Sequence, residues 1–164
     1  MIRKTLLASL ILLRTCAPAF AEDIGPNSIC FVPGPDDCAM VAVAEIAKAQ
    51  RTLDIQQFQL SEPHIGQAII DAKNRGVQVR LIVDKKAPRE RNAQTPAIAA
   101  VGIPVWVDYL PAIAHNKIVI IDSTEVIGGS FNLSTGADHR NSENLTITRD
   151  AQWAAAYEAN FENR

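Results

Sequence analysis

Hydrophobic and polar positions change rhythm several times along the chain, and each rhythm points to an element. Thr52 to Leu60 alternates, with Leu53, Ile55 and Gln57 against Asp54, Gln56 and Phe58, which is the period of a strand. Val77 to Val83 is β-branched and aliphatic and predicts another. Shorter runs at Ile29–Val32, Ile103–Val107, Lys117–Ile121, Glu125–Ile127 and Glu143–Thr148 read the same way. Helices announce themselves by their ends. Asp36 or Asp37 can cap one that runs to about Gln50. Ser61 is the expected cap of a second, with Pro63 in its first turn and Gly76 ending it after Arg75. The polar connection Asp84–Asn92 leads to a short helix near Pro96–Val101, stopped by Gly102. Asp150 caps a last helix, expected to bury Trp153, Tyr157 and Phe161. Strands alternate with helices in the first half and cluster in the second, so the expected fold is α/β, layered around a mixed β-sheet.

No repeat, low-complexity tract or linker interrupts residues 28–164, and 164 residues suffice for one domain with a real core. The start has a different character. Arg3 and Lys4 precede an apolar run, Thr5–Leu13, and Ala19-Phe20-Ala21 puts small residues where a signal peptidase reads. That run is shorter than the roughly 20 residues a spanning helix needs. Residues 1–21 are therefore expected to be a signal peptide and residues 22–164 a secreted or periplasmic chain, with no stable membrane insertion after cleavage. The competing reading, which the charge at Arg14 keeps open, is an uncleaved amphipathic anchor.

Cleavage shifts the charge. Arg3, Lys4 and Arg14 leave with the signal, so 13 of the 16 Lys and Arg face all 18 Asp and Glu, a net −5. Bulk charge of that sign does not suit a protein that coats nucleic acid; any phosphate must be held by a local site. Of the three cysteines, Cys16 is lost too. Cys30 and Cys38 remain across the turn-rich Val32-Pro33-Gly34-Pro35, and an oxidising compartment favours a disulfide over two buried free thiols.

The chemistry concentrates in one stretch: His115-Asn116-Lys117, Asp122, then Gly129-Ser130-Phe131-Asn132, then Glu143. On a strand, positions i and i+2 share a face. His115 and Lys117 therefore point the same way at the start of one strand, as do Ser130 and Asn132 at the end of another. A return through Ser123-Thr124 sets the two pairs side by side. A nucleophilic imidazole, a fixed cation, a hydroxyl and an amide on one surface suit a phosphodiester. Asp122 lies five positions from Lys117, on the opposite face of a regular strand, and is expected to brace the turn or pair with a buried group rather than touch substrate.

The pattern His-x-Lys-x4-Asp-x6-Gly-Ser-x-Asn resembles the signature of the phospholipase D superfamily, and the chain carries all six named residues without a gap. Within that superfamily it resembles the small bacterial endonucleases with one motif per chain. The resemblance implies an α/β/α sandwich and a covalent phosphohistidine route. His115 would attack phosphorus, while Lys117, Ser130 and Asn132 would hold the phosphate oxygens. Glu143 would accept the other imidazole N–H and fix the tautomer. Asp122 belongs to the signature as well, despite its expected bracing role. Neither His64 nor His139 begins a second motif, so the second histidine of the reaction is expected from another copy of the chain, in a two-fold homodimer.

No cofactor is implied, and no metal: the sequence has neither HExxH nor spaced Cys ligands nor an Asp/Glu cluster on one element. Lys85, Lys86, Arg89 and Arg91 can hold flanking phosphates of a polynucleotide or form a solvated loop. The same choice stands for His139 and Arg140. Trp106 and Tyr109 can stack on a base, although core packing is the expected role of Trp106. The expected substrate is DNA or RNA. Lipid is the alternative within the same chemistry, disfavoured by the lack of a membrane-docking segment legible in the sequence. A catalytically silent binding domain is the third reading, against which the intact His115, Lys117 and Asn132 set argues.

Overall fold

The computed structural model describes residues 21–164. Residues 1–20, almost all of the expected signal segment, lie outside the described residues. The elements are β1 (Glu22–Ile24), β2 (Asn27–Val32), α1 (Cys38–Ile46), β3 (Thr52–Gln57), α2 (Pro63–Asn74) and β4 (Gln78–Asp84), followed by α3 (Thr95–Ala100) and β5 (Val105–Asp108). After these come β6 (Lys117–Ile121), β7 (Glu125–Gly129), α4 (Thr135–Arg140), β8 (Glu143–Arg149) and α5 (Ala151–Glu162). The strands form one eight-stranded sheet in the order β1-β2-β8-β7-β6-β3-β4-β5. It is mixed: β3, β4 and β5 are parallel neighbours joined through α2 and α3, and the other neighbours are antiparallel.

Helices cover both faces, giving the expected α/β/α sandwich. On one face α1, α2 and α3 supply Val41, Ile46, Ile65, Ile69 and Ile98 against Leu53, Ile55, Leu81, Val119, Ile127 and Ile147. On the other, α5 lays Ala154 and Phe161 on Ile82, Ile118, Ile120 and Val126. A strand covered on both sides has no solvent face, so the polar half of β3 is buried along with its apolar half. Burial is tolerated where the polar groups find partners, although the Gln56 Nε2 has none. The Asp54 carboxylate takes Arg80 Nε and Nη2 at 2.8 and 2.7 Å, and Gln56 Oε1 accepts from Asn116 Nδ2 at 2.9 Å.

Several details depart from expectation. The cap of α2 is Glu62, not Ser61, because the backbone N–H groups of both residues are drawn to the Leu133 carbonyl. Helix α5 buries Phe161 and Ala154 but leaves Trp153 53% exposed, since adjacent residues on a helix face about 100° apart. Trp106, expected in the core, is 50% exposed on edge strand β5. The short α4, capped by Ser134, carries His139 and Arg140 in its last turn rather than on a loop. Cys30 and Cys38 do form a disulfide, which ties β2 to the first residue of α1.

Candidate active site

One rim of the sheet gathers the chemistry, because β6 begins where β3 and β7 end. Lys117 is in register with Gln57, the last residue of β3, and Gly129 closes β7 opposite Leu145 of β8. His115, two residues before β6, is exposed there. Its position is held from outside the motif. Buried Asp84, at the end of β4, accepts the backbone N–H of Ala114 at 2.8 Å and so fixes the residue just before His115. Phe58 backs the imidazole, ring centroids 4.7 Å apart and tilted at 56°, and the Lys117 ammonium lies 5.4 Å from the same ring. The Lys117 Nζ is 3.1 Å from His115 Nδ1 and donates to the His115 carbonyl at 2.8 Å.

The other half of the rim depends on a break in alternation. Gly129 has φ = +122°, and the N–H groups of Ser130 and Phe131 both donate to the Asn144 carbonyl at 3.1 Å. Two residues facing one is a β-bulge, and it turns Phe131 into the core while Ser130 stays exposed on the rim. A side chain at residue 129 would collide with that same Asn144 carbonyl, so both the space and the dihedral call for glycine. The Asn132 Oδ1 is buried without a hydrogen-bond partner.

Glu143, at the start of β8, faces this half of the rim. Its carboxylate accepts from Ser130 Oγ and, at 2.9 Å, from Asn141 Nδ2. The expected contact with the His115 ring is not the one observed. Ser130 and Asn141 are nearer neutral donors, and they occupy both carboxylate oxygens. Glu143 still acts on the site through its charge. Burial lowers the Lys117 ammonium below the ordinary lysine range, and the negative charge of Glu143 opposes that shift.

Asp122 is a correction to its place among the site residues. It sits at the far end of β6 from His115, where its carboxylate accepts the backbone N–H groups of Gln50, Arg51 and Thr52 at 2.9, 2.7 and 2.9 Å. Burial pushes this carboxyl up, but the three N–H donors and Arg51 outweigh it and hold the group below its ordinary value. Its carboxylate braces the turn after β6 against the segment that leads into β3, away from His115.

A family profile described as "Cardiolipin synthase, PLD-like domain" matches residues 42–164. The chain belongs to the phospholipase D superfamily. It is 38% identical over 137 residues to a protein of Rickettsia conorii named phospholipase D, covering 84% of this chain and 68% of that one. It is 31% identical to the mitochondrial cardiolipin hydrolase of Xenopus tropicalis, covering 81% of this chain and 63% of that protein. Among solved structures, the phospholipase D family member Nuc of Salmonella typhimurium superposes with a TM-score of 0.78 and 27% identity, over 84% of this chain and 92% of that one. This phospholipase D superfamily domain thus has its signature residues on one rim, apart from Asp122. Phe58 and Asp84, which position His115, fall outside the signature. The only sequence signal for them is that each closes or follows a parallel strand, where α/β sheets place their sites.

Proposed function

We propose that the protein is a metal-independent phosphodiesterase that cuts nucleic acid through a phosphohistidine on His115, at a site completed by a second copy of the chain. The observation that carries this reading is the exposed His115 imidazole beside the Lys117 ammonium, on the rim that also presents Ser130 and Asn132. Those groups match what in-line attack on a phosphodiester requires: a nucleophile, a permanent cation and neutral donors for the non-bridging oxygens.

The contacts suggest an order of events. With Lys117 donating to Nδ1, the imidazole proton sits on Nε2, and the ring is not yet a nucleophile at that atom. A phosphate draws the ammonium to its oxygens. Nδ1 is then free to carry the proton, and Nε2 attacks phosphorus as the leaving oxygen departs. That oxygen takes its proton from His115 of the partner subunit, which acts as general acid. Water then attacks the phosphohistidine, giving its proton back to the partner's His115. Ser130 joins the phosphate shell by turning its hydroxyl away from Glu143.

The single signature motif, which resembles that of the small bacterial endonucleases, supports nucleic acid as substrate, and the likeness to Nuc spans nearly all of that phospholipase D family member. A lipid substrate is the second reading, favoured by the names phospholipase D and cardiolipin hydrolase among the relatives and by the exposed apolar Tyr109, Leu110 and Ile113 just before His115. Residues 1–21 acting as an export signal belong to the same proposal, with the Cys30–Cys38 disulfide consistent with an oxidising compartment. Incubating the protein with plasmid DNA, RNA and phosphatidylcholine vesicles, each with excess EDTA, tests the assignment. Cleavage of DNA or RNA is expected. Hydrolysis of lipid alone would overturn the nuclease reading, and activity only with added divalent metal would overturn the mechanism.

A further inference from the structure

Outside the motif, some of the chain's cations are held in ion pairs. Lys48, Arg80, Arg149 and Arg164 each lie within 4 Å of a carboxylate. Lys85, Lys86, Arg89 and Arg91 are set apart by being clustered on one short segment: among the described residues none of them has an ion-pair partner, although the chain from residue 22 onward carries more carboxylates than cations. Four like charges set this close in sequence repel one another, a cost that a bound anion lowers. Three of them, Lys85, Lys86 and Arg89, line a cavity of about 370 Å³ with Tyr109 and Glu90. Tyr109 is 68% exposed there. Glu90 is the carboxylate of the lining. Its burial and the charge of Asp84 push it above its ordinary value, against a hydrogen bond from Gln59.

The segment is also strapped to the active rim at both ends. At one end the Asp84 carboxylate accepts the N–H of Lys86 at 2.9 Å with Oδ1 and that of Ala114 at 2.8 Å with Oδ2. A single buried side chain thus spans from the basic segment to the residue preceding His115. At the other end the Gln94 N–H donates to the Leu60 carbonyl, and Leu60 bridges Leu133, the neighbour of Asn132. The cavity is therefore held in fixed relation to the residues that would grip the scissile phosphate.

We infer that this cavity is a second phosphate subsite, which takes the nucleotide flanking the scissile bond of a single-stranded polynucleotide, with Lys86 and Arg89 on its phosphate and Tyr109 against its base. The inference rests on the nuclease reading above and adds the residues that recognise the rest of the strand. Phosphate contacts from flexible cations position a strand without reading its sequence, and aromatic stacking is equally tolerant, so the subsite suits a non-specific enzyme.

The test compares a short single-stranded oligonucleotide with bis(p-nitrophenyl) phosphate, a diester that has no flanking nucleotide. In K86A/R89A the ratio of kcat/KM on the oligonucleotide to that on the small diester should fall about 10–30-fold, mainly through KM, and the salt slope should flatten by about 1.4. Y109A should lower the ratio about tenfold with the salt slope retained. All three residues are on the surface, and a thermal melt confirms that each variant is folded. A ratio equal to wild type in the double variant, with the oligonucleotide still cut, would overturn the subsite and leave the nuclease reading standing. Wild-type protein that cuts vesicle phospholipid and leaves the oligonucleotide whole would overturn both.

Discussion

Lys117 and Asp122 belong to the same signature, and their environments assign them opposite work. The Lys117 ammonium is half-buried beside a histidine, and burial lowers it despite Glu143. If its charge holds the phosphate, kcat/KM must fall as it deprotonates, and the alkaline limb should break below the ordinary lysine value of 10.5. E143Q removes the charge that favours the ammonium, so the break should move further down in pH; a limb that stays put or moves up would contradict this. Asp122, by contrast, spends its carboxylate on three backbone N–H groups. D122A should cost about 2 kcal/mol in urea unfolding at neutral pH. A carboxyl held below its unfolded value of 3.8 contributes stability above that pH and loses it as pH falls through the folded value. The gap between wild type and D122A should therefore close in acid, while the folded variant keeps its turnover. A gap independent of pH would mean that the charge is not what braces the turn.

At the scale of elements, the site depends on where strands stop and how one of them bulges. G129A forces a side chain into a left-handed position and against the Asn144 carbonyl. It should cost about 1–3 kcal/mol of stability and, by shifting Ser130 and Asn132, about 10²-fold in rate. Wild-type kinetics in a folded G129A would show that the bulge does not aim these residues. Elements with a strong period were legible in sequence: β6 has the bounds that its Ile118–Ile121 run predicts, and Asp150 caps α5 as expected. Weak periods hid the others. Helix α4 is six residues long with only Ala137 buried, and β1 is three exposed residues, so neither leaves a hydrophobic pattern. The nearness of His115 and Lys117 was legible because it is local, whereas the bulge that sets Ser130 and Asn132 was not. The partners of Glu143 were not, since they depend on how β8 meets the bulge.

For the molecule as a whole, the proposal makes the active site a property of two chains. If each site needs a histidine from both subunits, randomly mixed wild type and H115A in equal amounts should retain about a quarter of the all-wild-type activity, whereas independent sites would retain about half. Mixing must be proven with two affinity tags, and a linear dependence on wild-type fraction would refute the shared site. Beneath that question lies the covalent step. The protein is incubated with a short single-stranded oligonucleotide in excess EDTA, quenched in alkali, digested and examined by mass spectrometry. The account predicts a nucleotidyl adduct on the peptide that contains His115, present in wild type during turnover and absent from H115A; cleavage that proceeds with no adduct on His115, or that persists in H115A, would contradict it.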